Sequence, residues 1–69
     1  MRIKYDKQTD TLYVTFVEKE IKESEYLERE GIIADFDEMG NLIGIEILSV
    51  SKKWPLEEVT KLYYEPAGI

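Results

Sequence analysis

Apolar and polar residues alternate with a period of two along most of the chain. Ile3 and Tyr5 stand between Arg2, Lys4 and Asp6, which predicts a strand over 2–6 with one buried face. Residues 11–17 are almost all β-branched or aromatic, which is strand composition. Leu12, Val14 and Phe16 share one face there, and Tyr13, Thr15 and Val17 the other. Ile21, Tyr26 and Leu27 are spaced too irregularly for a helical stripe, so an edge strand over 21–28, blunted by charge, is expected. A strand over 32–37 turns Ile32, Ala34 and Phe36 inward, and one over 42–48 does the same with Ile43, Ile45 and Ile47.

After Ser49 the period changes. Pro55 suits a first helical turn, and Glu57 and Glu58 favour its positive end. Leu56, Val59, Leu62 and Tyr63 fall on one stripe, and Pro66 and Gly68 stop it, so one helix is predicted over 55–64. The expected fold class is therefore α+β: one domain over 1–69, an antiparallel meander of about five strands with a single C-terminal helix packed on one face. The inward set is Ile3, Tyr5, Leu12, Val14, Phe16, Ile32, Ala34, Phe36, Ile43, Ile45 and Ile47, against Leu56, Val59 and Leu62.

Residues 5–16 and 36–47 align as two similar hairpins, each with an Asp at the start of its turn. Asp6 and Asp10 are the turn formers of the first, and Asp37, Gly40 and Asn41 of the second, where Gly40 supplies a positive φ. Thr9 stands where the second copy has Gly40, and Thr is poor at positive φ, so the first turn takes another form.

Composition narrows the chemistry. The 69 residues hold no Cys and no His, which removes disulfides, thiolate zinc sites, imidazole ligands and a histidine base. A chain this short buries only roughly 60% of its unfolded surface, so a partner is one of the few stabilisers left. The net charge of −6 opposes direct nucleic-acid binding, since Lys52-Lys53 is the one basic pair. No apolar run spans a membrane, and the N-terminus lacks a signal core, which reads as a cytoplasmic protein beginning at its own initiator Met.

The remaining chemistry lies in the acids. Asp35 to Glu46 matches a calcium loop at Asp35, Asp37, Gly40 and Glu46, but Met39 replaces an oxygen ligand and the flanks alternate as strands. Asp6, Asp10, Asp35, Asp37 and Glu46 are candidate acid–base carboxylates, mostly claimed by turns. Ser51 beside Lys52 and Lys53 reads as a strand-to-helix connection. No catalytic residue, cofactor or metal ligand is assigned, and the protein is expected not to be an enzyme. The candidate interaction surface is Tyr13, Val17, Ile33, Leu42 and Leu48, on the face opposite the inward set, together with Glu23, Glu25 and Glu28 from the acidic stretch. Residues 18–30 sum to 3 − 6 = −3, half the total charge.

The run from Tyr5-Asp6 through Asp10, Leu12-Tyr13-Val14, then Gly31-Ile32-Ile33, Asp35-Phe36-Asp37 and Gly40-Asn41 to Ile43-Gly44-Ile45-Glu46-Ile47-Leu48 resembles the prokaryotic family catalogued as domain of unknown function 2283. The resemblance covers about residues 3–52. It implies a small stand-alone cytoplasmic protein and carries no catalytic residue. It also implies an antitoxin or partner-binding role, because members of such families are often found beside toxin-like genes. The functional expectation is thus a non-enzymatic protein–protein interaction module, antitoxin-like with a basic partner. The alternative is a self-associating structural domain, such as a homodimer, and a carboxylate-based metal-binding protein is the less favoured third.

Overall fold

The computed structural model describes residues 1–68. Five strands form one antiparallel sheet: β1 (Arg2–Asp6), β2 (Thr11–Thr15), β3 (Glu23–Leu27), β4 (Ile32–Phe36) and β5 (Leu42–Ile47). Two single-turn helices follow, α1 (Val50–Lys53) and α2 (Leu56–Val59). The protein is α+β. The strand order is β1-β2-β5-β4-β3, so a hairpin and a three-strand meander join through β2 and β5. Residues 16–22 carry the chain from β2 to the far edge. Composition accounts for this order. The apolar β5 takes the centre, where both its edges are paired, while the charge-bearing β1 and β3 take the edges.

The register lays the side chains in rows across all five strands. One face carries Ile3–Val14–Ile45–Ala34–Glu25 and, beside it, Tyr5–Leu12–Ile47–Ile32–Leu27. The other carries Lys4–Tyr13–Glu46–Ile33–Tyr26 and Arg2–Thr15–Gly44–Asp35–Ser24. A bulge between Asp35 and Phe36 sets Phe36 opposite Leu42. The first face is thus apolar almost without interruption, and the second is mixed.

Both turns starting with Asp are built alike. Asp6 Oδ1 accepts from the Gln8 and Thr9 amides, at 2.9 and 3.4 Å. Asp37 Oδ1 accepts from Met39 and Asn41, both at 2.9 Å. In the second turn Gly40 holds the positive φ, at 83°. In the first the left-handed residue is Asp10, at 53°, one position later than the aligned Thr9, since a short polar side chain tolerates that region and a β-branched one does not.

The C-terminal segment departs from expectation. The helix expected over 55–64 is only the single turn α2, and a further turn, α1, precedes it. Pro55 divides them, because it biases the preceding residue out of the helical region, and Trp54 is extended at φ −141°, ψ 154°. α2 stops at Thr60, whose hydroxyl bonds back to the Glu57 carbonyl at 3.2 Å. Helix nucleation is costly, and beyond Val59 the stripe finds no surface to bury against. Leu62 is 71% exposed and Tyr63 76%, while Leu56 remains 40% exposed.

The core is correspondingly small. Among the described residues the buried apolar side chains are Ala34, Ile43 and Val50. Val50 is fully buried where α1 turns under the sheet end, its amide bonded to the Asp10 carbonyl at 3.0 Å. Most of the inward set, including Leu12, Val14, Ile32, Ile45 and Ile47, is only half-buried, and Ile3 is exposed.

Candidate functional site

The second face concentrates the unusual electrostatics. Asp35 lies in the row Thr15–Gly44–Asp35–Ser24 and is 4% exposed. Ser24, directly opposite on β3, donates its hydroxyl to Asp35 Oδ1 at 2.7 Å. Gly44, opposite on β5, leaves open floor. A Cβ there would sit 3.1 Å from the Val14 carbonyl oxygen and 3.8 Å from Asp35 Oδ2.

Glu46 points to the same face one row along. Burial, then a hydrogen bond with Asp35, then the like charge of Asp35 push its carboxyl up to about 7. Glu46 thus keeps its proton well above the usual carboxylate range. The two acids stand in a cavity of about 200 Å³ with Tyr13, Thr15 and Gly44, rimmed by Val17, Lys19 and Ile21 of the β2–β3 connection.

Asp37 does not join this pair. It is buried in its own turn, held below the usual carboxylate range by the Asn41 and Met39 amides and by Lys19, whose Nζ lies 3.4 Å from Oδ2. Lys19 thereby ties the β2–β3 connection to the β4–β5 turn. Asp10 is likewise structural. The Tyr5 hydroxyl donates to its Oδ1 at 2.6 Å, and the Ser51 hydroxyl to its Oδ2 at 2.7 Å. These bonds hold Asp10 below the usual carboxylate range and pin α1 to the first turn. No group of three or more His, Cys, Asp or Glu among the described residues is placed to hold a metal ion. What this pocket can do is hold a proton on Glu46 close to neutral pH.

The residues named for an interaction surface are spread out. Tyr13 is half-buried under the Lys4 ammonium, 5.9 Å from its ring centre, and Ile33 is separated from it by Glu46 in the same row. Val17 and Leu42 are exposed and Leu48 is half-buried beyond the end of β5. Glu23 and Glu25 sit opposite Phe36 and Ala34, so they belong to the first face, at its β3 edge. Glu28 lies exposed in the turn after β3.

The surface missed in the sequence is the first face itself. Its rows of Ile3, Val14 and Ile45 and of Tyr5, Leu12, Ile47 and Ile32 were expected under a helix that in fact reaches only from Leu56 to Val59. At one corner Leu12, Trp54, Pro55 and Val59 line an open apolar groove of about 290 Å³. Pro55 marked where α2 begins, but nothing in the pattern marked its stop at Thr60.

A family model described as protein of unknown function DUF2283 matches residues 2–51. An uncharacterized protein of Methanocaldococcus jannaschii is 36% identical over 58 residues, which are 84% of this chain and 48% of the relative. The chain thus spans about half the length of that curated relative. No solved structure matches. No helix among the described residues is long and apolar enough to cross a membrane. The match runs from the first residue of β1 into α1, and so takes in the whole sheet with its paired carboxylates and its open apolar face: the chain belongs to the DUF2283 family.

Proposed function

We propose that the protein is a protein-binding module whose docking surface is the first face of the sheet. The observation carrying this reading is the continuous apolar surface of four adjacent strands, most of it only half-buried. Ile3, Tyr5, Leu12, Val14, Ile32, Ile45 and Ile47 lie side by side there with no charged residue among them. An apolar patch of that extent in a folded protein marks an interaction site. A basic partner, as in the antitoxin-like case, would also engage Glu23, Glu25 and Glu28 at the β3 edge of that face, which are exposed. The Asp35–Glu46 pair faces the other way and has no role in this reading.

A photo-crosslinking residue at position 45, expressed in the native host, tests it. The expected result is a covalent adduct with a protein, whether another chain or another copy. The same residue at position 24 on the opposite face gives no such adduct. Absence of any protein adduct from position 45 overturns the reading.

A further inference from the structure

We infer that the partner on the first face is a second copy of this chain, packed sheet against sheet in a two-fold dimer. The inference rests on the reading just given and names its occupant.

Area carries the argument first. The accessible surface is 5776 Å². A folded monomer of 8.1 kDa is expected to expose about 4,500 Å², so this chain exposes about 1,300 Å² more than its mass warrants. The exposed residues 61–68 and the exposed β2–β3 connection hold part of that excess, and the half-buried first face contributes to it as well. Specific interfaces cover about 800 Å² on each partner. Covering the first face, with the exposed Trp54 and Leu56 beside it, brings the chain back toward the surface of an ordinary folded protein.

Charge decides between occupants. A basic partner centred on this face would meet carboxylates there, but β1, β2, β5 and β4 present only apolar side chains to it. The surface is instead matched by another like itself. Two sheets stacking at about 10 Å make a core of interdigitated side chains, which the monomer lacks. The two-fold axis must lie along the strands. An axis across them would stack the Glu23 and Glu25 edges on each other. An axis along them places β3 of one copy over β1 of its partner, whose side chains on this face are Ile3 and Tyr5. That arrangement keeps the two acidic Glu23–Glu25 edges apart and sets them against an uncharged strip of the partner.

Sedimentation velocity of the purified chain from 1 to 100 µM, with the emission of Trp54, tests the inference. We expect a species of twice 8.1 kDa that forms with rising concentration, and a blue shift of Trp54 over the same range. Ile45→Lys, at the centre of the face, should stay monomeric. Ile3→Lys alters a position already 40% exposed, so it keeps the fold and should weaken the dimer at least tenfold. Ile33→Lys, on the opposite face, should dimerise as the parent does. Circular dichroism confirms the sheet in each variant. A parent that is monomeric at 100 µM overturns the inference, as does an open-ended series of oligomers, or a dimer that Ile3→Lys leaves unchanged. A monomeric chain that still gives adducts from position 45 with another protein sinks the dimer alone. No adduct of any kind sinks the interaction reading with it.

Discussion

Glu46 is the residue whose environment most changes its chemistry. Burial and Asp35 disfavour its charge and push its carboxyl from the ordinary 4.5 up to about 7. The folded state therefore binds a proton that the unfolded state has released between those two values. By linkage this contribution to stability is fully present below pH 4.5 and is lost as pH rises through 7. Asp10 and Asp37 act in the opposite sense. Their lowered values give stability above the usual carboxylate range and lose it as pH falls below. Stability should accordingly peak in mildly acid solution. Glu46→Gln should flatten the decline between pH 4.5 and 7 and stabilise the protein at pH 8, read from thermal midpoints across that range. A parallel decline in both proteins would refute the assignment. The parity that sets Asp35 and Glu46 on one face was legible in the sequence, because strands place alternate residues on alternate faces. Their contact was not, since it depends on the register that sets Asp35 against Gly44.

At the scale of elements, the hairpins were readable and the C-terminal segment was not. A turn is decided by a few neighbouring residues, as Asp37 and Gly40 show, so its form survives whatever packs around it. A helix of one or two turns is decided by what it buries: Val59 finds the corner beside Leu12, while Leu62 and Tyr63 continue the pattern without a surface. The contrast gives two expectations. Val50→Ala opens a hole at the one fully buried side chain of α1 and should cost about 2 kcal/mol. Replacing both Leu62 and Tyr63 by Ser should change stability by no more than about 0.5 kcal/mol, as for other surface positions. Urea midpoints check both. Equal losses in the two variants would mean that the stripe packs after all.

At the scale of the whole molecule, the strand order matters more than any one strand. The sequence pattern specifies five strands and two faces but not which strand meets which across the β2–β3 connection. Placing β5 beside β2 joins the apolar residues of the hairpin to those of the meander, and the result is one broad surface where two narrow ones would otherwise lie. A chain of 69 residues with three buried apolar side chains among those described has little to hold it folded alone. If that surface closes on a second copy, folding and association become one equilibrium, and stability must depend on protein concentration. Each tenfold increase above the dissociation constant then adds about 0.7 kcal/mol per chain, half of the tenfold increment for a dimer. For a domain this small that is a rise in thermal midpoint of roughly 3–5 °C per decade. Calorimetric scans at 10, 100 and 1,000 µM should show that rise in the parent and a flat midpoint in Ile45→Lys. A midpoint independent of concentration in both would mean that the sheet stands by itself, and that its apolar face is left open to solvent in the native state.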